Sequence, residues 1–167
     1  MSLKVGVIGL GPMGGNIAGN LLKKGFDVVG YDIKPECMDA LDELGLERAE
    51  SATDVAAKAD ILACSLPNAA ALQDVLDDVL KHPNPGQIML ECSTLEVADK
   101  LAAHEKFASG GKILLDAPIS GTPPMLVNMV ASIYVSGDKA AYDKCVPMLE
   151  GFTATNFYCG EVGNGTR

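Results

Sequence analysis

Three glycines with the spacing G-x-G-x-x-G, namely Gly9, Gly11 and Gly14, lie near the start of the chain. They follow a continuous apolar run at residues 3–9 and precede a stretch in which apolar residues recur at every fourth position. Between a strand and a helix, such glycines permit a tight turn, a close approach of backbone to a pyrophosphate, and close helix packing. Pro12 suits the first helical turn, where no amide hydrogen is needed. The residues predicted to bind a dinucleotide phosphate are Gly9, Leu10, Gly11, Pro12, Met13 and Gly14.

An acidic residue, Asp32, ends the second predicted strand at residues 26–32. A carboxylate at this position can accept hydrogen bonds from the hydroxyls of an adenosine ribose, and it would repel the additional phosphate of NADP. Lys34 lies two residues further on and could offset part of that repulsion. The pattern therefore favours NAD over NADP as the cofactor. A flavin nucleotide, or a glycine-rich turn that holds no ligand, remains an alternative.

Short apolar runs alternate with amphipathic stretches along the whole chain. Strands are predicted at residues 3–9, 26–32, 60–66, 87–92, 112–117, 132–136 and 155–159. Helices are predicted between successive strands as far as residue 112 and again at residues 138–149. Two of the helix starts carry capping-box spacing, Ser51 with Asp54 and Ser93 with Glu96. This alternation predicts an α/β fold with a doubly wound, mainly parallel sheet, the Rossmann-type dinucleotide-binding class.

Composition limits the other possibilities. The chain has 167 residues, 48% of them hydrophobic, which suits a single domain with a substantial core. The formal net charge is −9 and no basic cluster is present, so we expect no nucleic-acid partner and no electrostatic membrane anchor. No apolar run approaches the roughly 20 residues of a membrane span. The N-terminus enters the first strand directly and carries no signal peptide, which predicts a cytoplasmic location.

Cysteine and histidine are too few and too scattered to form a reactive centre. The five cysteines include no C-x-x-C pair, and only two histidines are present. We therefore expect no metal site and no Ser-His-Asp triad. The odd cysteine count predicts reduced thiols in an intracellular compartment. Cys64 and Cys92 lie inside apolar runs, which predicts that they are core residues.

Further segments accompany the glycine motif in a fixed order. They are residues 7–14 (VIGLGPMG), Leu66-Pro67, residues 91–94 (ECST) and residues 116–121 (DAPISG). With these segments, essentially the whole chain resembles the N-terminal, NAD-binding domain of the β-hydroxyacid dehydrogenases. That family includes 3-hydroxyisobutyrate dehydrogenases, tartronate semialdehyde reductases and glyoxylate/succinic semialdehyde reductases, and more distantly 6-phosphogluconate dehydrogenases.

The resemblance implies roles for two groups of loop residues. It places Leu66, Pro67 and Asn68 in a loop against the cofactor and Thr94 at the nicotinamide ribose, while Ser93 could cap the following helix. It places the substrate's polar groups at Ser120, Gly121 and Thr122. A purely structural loop is the alternative there. Thr122 stands where the family usually has a second glycine, and residues 125–129 also depart from the expected pattern, which leaves the substrate open.

Hydride transfer from an alcohol needs a group that takes the hydroxyl proton, and no residue of this chain is a convincing candidate. Asp116 is interpreted as a structural acid at the end of a strand. In the family, this work belongs to a lysine in a G-x-G-x-x-x-K segment, and residues 163–167 (GNGTR) would end two positions before it. The resemblance therefore implies a dinucleotide-binding domain at residues 1–160. Residues 161–167 would begin a connection to a helical C-terminal domain that usually forms the dimer, unless residues 160–167 are only a frayed tail.

The sequence thus predicts an NAD-dependent oxidoreductase that acts on a small 3-hydroxy acid or its semialdehyde, with no catalytic residue in this chain. One alternative is an imine reductase on the same scaffold, with the family lysine replaced. The other is a non-catalytic, NAD-sensing domain, which only the altered stretch after Gly121 favours.

Overall fold

A computed structural model describes residues 3–167. The first part of the chain contains β1 Lys4–Ile8, α1 Pro12–Lys23, β2 Asp27–Tyr31, α2 Glu36–Asp42, β3 Glu47–Arg48, α3 Ala52–Lys58, β4 Ile61–Cys64, α4 Ala69–Leu80, β5 Ile88–Glu91, α5 Val97–Ser109 and β6 Ile113–Asp116. The second part contains β7 Ile119–Ser120, α6 Pro123–Val127, β8 Ser132–Val135, α7 Lys139–Phe152 and β9 Thr155–Tyr158. The predicted alternation of strand and helix is confirmed, and the short elements β3, β7 and α6 were not predicted.

Six strands form one parallel sheet in the order β3-β2-β1-β4-β5-β6. The central strands β4 and β5 are buried along their whole length, as expected for strands covered on both faces. One core layer packs α1 and α7 against side chains such as Val5 and Val7, and the opposite layer packs α3, α4 and α5 against Leu62 and Met89. The doubly wound, mainly parallel fold is therefore confirmed.

The last strands do not join this sheet as further parallel members. Strands β7, β8 and β9 form a separate three-stranded sheet, in which β7 is antiparallel and β9 parallel to β8. A single antiparallel bridge between Asp116 and Ser136 connects β6 with the end of β8. The chain thus reverses after β6, and the loop at the end of β6 lies between the two sheets.

One of the two predicted capping boxes is wrong. The Ser51 hydroxyl caps α3 by accepting a hydrogen bond from the Asp54 amide at 3.0 Å, as predicted. Helix α5, however, begins one residue after Glu96, which has no side-chain capping bond. The Ser93 hydroxyl instead accepts a hydrogen bond from the backbone amide of Leu66, in the loop after β4. A contact between two loops has replaced the local cap.

The prediction that Cys64 and Cys92 are core residues is confirmed, since both side chains are buried. Within residues 3–167, no three His, Cys, Asp or Glu side chains are grouped so that they could hold a metal ion. No helix in the same range is long and apolar enough to cross a membrane.

Candidate functional site

The loops that carry the predicted cofactor residues follow the carboxyl ends of parallel strands. Since β1, β4, β5 and β6 run in the same direction, their following loops meet at one edge of the sheet. The glycine turn follows β1. In the sheet, β2 and β3 lie on one side of β1, and β4, β5 and β6 lie on the other. The turn therefore lies at the point where the strand order reverses, which is where doubly wound sheets bind ligands.

A cleft of about 590 Å³ opens at this point. Its wall comprises residues predicted to bind the cofactor, Gly9, Gly11, Pro12, Met13, Gly14, Asp32, Leu66 and Pro67. It also includes residues outside any motif, among them Ile33, Cys37, Asp74 and Asp78. Leu10 lies behind the turn, where its side chain is buried in the core. The fold thus brings most of the predicted cofactor residues together in one concave surface.

Two glycines are required by the packing of the turn itself. Gly9 has a φ of +87°, and a Cβ there would overlap the carbonyl oxygen of Ser65 at the end of β4. A Cβ on Gly14 would overlap the carbonyl oxygen of Gly9, so α1 begins directly against the turn. At Gly11, in contrast, the position of a Cβ has no atom within 4 Å and opens into space. The turn is closed on its protein side and open on its cleft side.

The N-terminus of α1 is well suited to an anion. Its N-cap, Gly11, makes no side-chain capping bond, and no acidic residue lies in the first turn. The first amides of a helix have no partner within the helix, and the helix dipole adds partial positive charge at this end. Uncapped amides beside an open glycine therefore fit a pyrophosphate group.

Asp32 is held in place by the backbone. One carboxylate oxygen, Oδ2, accepts a hydrogen bond from the Leu10 amide at 2.7 Å, and Oδ1 accepts one from the Lys34 amide at 2.8 Å. The first bond ties the end of β2 to the glycine turn. Each oxygen keeps a lone pair for a further donor, so the group can still accept bonds from ribose hydroxyls.

The neighbouring wall is apolar. Ile33 lines the cleft with 81% of its surface exposed, so it offers an apolar surface beside Asp32. Cys37 is half-buried nearby, and burial together with the charge of Asp32 raises the pKa of its thiol. Neither residue belongs to a motif, and only their closeness to Asp32 in sequence could have suggested them.

The next two loops approach each other over the sheet edge. Leu66 and Pro67 line the cleft, whereas Asn68 is the N-cap of α4 and accepts a hydrogen bond from the Ala71 amide at 2.8 Å. Thr94 is exposed in the loop after β5 and lies outside the cleft wall. The link between these loops is the 2.8 Å hydrogen bond from the Leu66 amide to the Ser93 hydroxyl.

The predicted substrate residues form a separate exposed group after β6. Ser120 ends β7 opposite Ser132, and Gly121 follows with a φ of +149°. The Thr122 hydroxyl is the N-cap of α6 and accepts a hydrogen bond from the Met125 amide at 3.4 Å. None of the three lines the cleft. Thr122, which stands where the resemblance implied a second glycine, thus starts a short helix.

A buried ionic cluster lies beneath the loops after β5 and β6. Lys100 of α5 is completely buried, and its Nζ lies 2.6 Å from Glu91 Oε2 and 3.0 Å from Asp116 Oδ1. Asp116 is therefore a structural acid, as the sequence suggested. The sequence analysis missed Lys100, although its spacing from the buried Ala103 and Phe107 of the same helix was a signal that it faces the core.

Comparison with known proteins agrees with this geometry. Residues 4–160 match the family model described as the NAD binding domain of 6-phosphogluconate dehydrogenase. The NAD-dependent L-serine dehydrogenase of Pseudomonas aeruginosa is 33% identical over 165 residues, which cover 97% of this chain and 55% of that protein. A structure of Mycobacterium tuberculosis 3-hydroxyisobutyrate dehydrogenase with L-serine matches with a TM-score of 0.95 at 29% identity, over 99% of this chain and 57% of that one.

An imine reductase from Streptomyces aurantiacus has the same fold, with a TM-score of 0.90 at 28% identity over 96% of this chain and 56% of that one. The chain spans about half the length of the curated relatives that it matches.

Proposed function

This chain belongs to the family of NAD-binding domains described for 6-phosphogluconate dehydrogenase, and on that basis we propose that it is the cofactor-binding part of an NAD-dependent oxidoreductase acting on a small 3-hydroxy acid. The observation that carries the proposal is the cleft at the strand-order reversal, in which an uncapped helix N-terminus and an anchored Asp32 line one concave surface. Its two ends suit two groups of a dinucleotide: the helix start suits the pyrophosphate, and the carboxylate suits the hydroxyls of the adenosine ribose.

In this proposal, the residues of the turn from Gly9 to Gly14 hold the pyrophosphate, and Asp32 accepts hydrogen bonds from the adenosine ribose. The negative charge of Asp32 disfavours the additional phosphate of NADP. Leu66, Pro67 and Asn68 lie along the cofactor, and Thr94 contacts the nicotinamide ribose. NAD, when bound, supplies the acceptor for a hydride. The protein residues orient it and exclude water from one face.

We place the substrate's carboxylate and hydroxyl at Ser120, Gly121 and Thr122. The names of two relatives support a small 3-hydroxy acid, since serine and 3-hydroxyisobutyrate are both short carboxylates with a hydroxyl on the third carbon. The Thr122 hydroxyl already caps α6, so in this proposal Ser120 and the backbone after it provide the contacts.

The proton-transfer group is proposed to come from outside this chain. Residues 1–160 form the dinucleotide-binding domain, and residues 161–167 begin the connection to a helical domain. That domain would supply a lysine two positions after Arg167 and form a homo-oligomer. We further propose that the complete enzyme acts in the cytoplasm.

Two other functions remain as candidates. The likeness to an imine reductase favours a reductase of carbon–nitrogen double bonds on the same scaffold. The departure at residues 122–129, where Thr122 starts a helix, favours a non-catalytic NAD-sensing domain.

The protein translated from the complete reading frame tests these candidates. With NAD and a panel that includes L-serine and 3-hydroxyisobutyrate, we expect the absorbance of reduced cofactor to rise for at least one acid. Reduction of a cyclic imine with loss of reduced cofactor, and no reaction with any acid, would favour the imine reductase instead. NAD binding without either reaction would favour the sensor. The residue two positions after Arg167 gives an independent check, because only the dehydrogenase requires a lysine there.

A further inference from the structure

The buried cluster of Lys100, Glu91 and Asp116 connects parts of the molecule that are distant in sequence. Besides its two carboxylate contacts, Lys100 Nζ donates a hydrogen bond to the carbonyl oxygen of Glu91 at 3.1 Å. All three side chains are fully shielded from solvent. The cluster contains one positive and two negative side chains, so displacing Lys100 would leave two buried carboxylates without a counter-ion.

One side of the cluster reaches the candidate cofactor loops. Glu91 Oε1 accepts a hydrogen bond from the Ser93 amide at 3.0 Å. The Ser93 hydroxyl in turn accepts the hydrogen bond from the Leu66 amide at 2.8 Å, and Leu66 lines the cleft. Two hydrogen bonds therefore separate the buried carboxylate from the cleft wall.

The opposite side of the cluster holds the last residues of the chain. Asp116 accepts two hydrogen bonds from Thr166, one from its amide at 2.9 Å and one from its hydroxyl at 2.6 Å. The Ser136 hydroxyl donates to Asp116 at 3.3 Å and accepts from the Gly165 amide at 3.0 Å. Gly165 and Thr166 are thus docked onto the cluster through three separate donors, their two amides and the Thr166 hydroxyl.

The electrostatics favour a charged, rigid cluster. Burial alone would lower the pKa of Lys100, but the attraction of Glu91 and Asp116 outweighs it and raises that pKa. Lys100 therefore keeps its proton, and the positive charge holds both carboxylates at fixed positions. Displacing either carboxylate would move the hydrogen bonds that it accepts from its own loop.

We propose that Lys100, Glu91 and Asp116 are positioning residues that couple the segment of Gly165 and Thr166 to the loops at Leu66 and Ser93, so that docking of this segment and NAD binding reinforce each other. The effect on NAD binding rests on the proposed function, whereas the coupling between the two segments of the protein is independent of it. Because coupling between two sites is reciprocal, a change at either end must be felt at the other.

Amide hydrogen exchange measured on the protein without ligand tests the coupling. Thr166→Val removes one hydroxyl at the segment end, and Glu91→Gln keeps the shape of the side chain but removes its charge at the loop end. We expect Thr166→Val to speed exchange of the Leu66 and Ser93 amides by about threefold or more, and Glu91→Gln to speed exchange of the Thr166 amide similarly. Thr166→Ser keeps the hydroxyl and should restore wild-type rates.

Thr155→Val is the matched control, because it removes the hydroxyl of an exposed residue of the second sheet, which is hydrogen-bonded to the Ser132 hydroxyl at 2.6 Å and to no part of the cluster. We expect it to leave all three amides unchanged. The amide of Ala141, which donates to Asp138, serves as the internal reference. If each variant changed amide exchange only at the residues that it contacts directly, and not at the far end of the cluster, the proposed coupling would be wrong.

Titration with NAD provides the second arm. At a temperature where both proteins are fully folded, we expect Thr166→Val to weaken NAD binding by about fivefold or more, and NAD to slow exchange at Thr166 in the wild type. NAD affinities equal to within about twofold in the two proteins would overturn the link to the cofactor. If the wild type binds no NAD, the proposed function fails, and the ligand-free exchange experiment still decides the coupling.

Discussion

At the scale of single residues, the carboxylate of Asp32 is oriented before any ligand arrives. Its two oxygens accept bonds from the Leu10 and Lys34 amides, so the side chain is fixed relative to the glycine turn. Such preorganisation lowers the entropy cost of binding a ribose. The same fixed negative charge is what the proposed preference for NAD over NADP depends on.

Asp32→Asn should therefore reduce selectivity more than it reduces binding. The amide side chain removes the charge and can accept at only one of its two terminal atoms. We expect NAD affinity to fall about tenfold and the ratio of NAD to NADP affinity to fall further. Calorimetric titration of both nucleotides measures this.

The matched control for this substitution is Asp60→Asn. Asp60 also accepts a hydrogen bond from a backbone amide, that of Lys4 at 2.9 Å, but it lies outside the cleft wall. We expect its nucleotide affinities to equal those of the wild type. An unchanged affinity ratio in Asp32→Asn would contradict the role given to its charge.

Lys112 is the basis of a second prediction at this scale, which concerns how the free energy of unfolding depends on pH. It is buried, and its Nζ donates to the Val79 carbonyl oxygen and to Gln87 Oε1, with no ion pair to a carboxylate among residues 3–167. Burial lowers its pKa from 10.5 to about 8. Between these two values the unfolded chain holds a proton that the folded chain has lost, so this group's contribution to stability rises with pH there and is constant below.

Lys112→Met should abolish this pH-dependent contribution to stability. The free energy of unfolding of the wild type minus that of the variant should rise between pH 8 and 10.5, by at most about 1.4 kcal/mol per pH unit. Urea unfolding across that range measures it, with the exposed Lys24→Met as control. A difference that does not change with pH would refute the lowered pKa.

At the scale of elements, the contact of α1 with the glycine turn depends on the absence of a side chain at Gly14. A Cβ there would overlap the Gly9 carbonyl oxygen and push the helix start away from the turn. Gly14→Ala should destabilise the protein by about 2 kcal/mol or more and abolish NAD binding. Urea unfolding and NAD titration test both effects.

Gly19→Ala in the same helix is the matched control. Its Cβ would lie 3.7 Å from Leu41 Cδ2, an ordinary van der Waals distance. Because alanine favours the helix over glycine, we expect this variant to be up to about 1 kcal/mol more stable and to bind NAD normally. If the two variants behaved alike, the clash at Gly14 would not be the reason for the loss.

The elements also show where sequence reasoning worked and where it could not. The long strands and helices could be predicted from the spacing of their apolar residues and from helix-capping residues, because their apolar faces are buried in the core. Strand β3 and strand β7 have only two residues each, too few for any periodicity. Helix α6 was missed although Thr122 followed by Pro123 is a helix-start signal that could have revealed it.

Ser93 illustrates a different limit. Its spacing from Glu96 predicted a local cap, yet its hydroxyl binds the Leu66 amide across the sheet edge. Nothing in the local sequence distinguishes these two partners, because the second becomes a neighbour only when β4 and β5 pair. The cluster around Lys100 has the same origin, since Glu91 and Asp116 come from separate strands.

At the scale of the whole molecule, the motif-bearing turn and Asp32 could be predicted because each follows a parallel strand whose position the pattern determines, whereas the loop after β4 was placed at the cofactor only by the family resemblance. The second sheet could not be, because the strands at residues 132–135 and 155–158 look the same in sequence whichever sheet they join. The apolar part of the cleft wall, Ile33 and Cys37, became apparent only from the packing of β2 and α2 beside the turn.

The most direct test of the account is a titration of this 167-residue chain with NAD, followed by the amide signals of the backbone. The account predicts binding at one site, with the largest changes at the amides of Gly11 to Gly14, Asp32 and Leu66, and no turnover of any hydroxy acid. A folded chain that shows no response to millimolar NAD would contradict it, as would changes confined to residues outside the cleft.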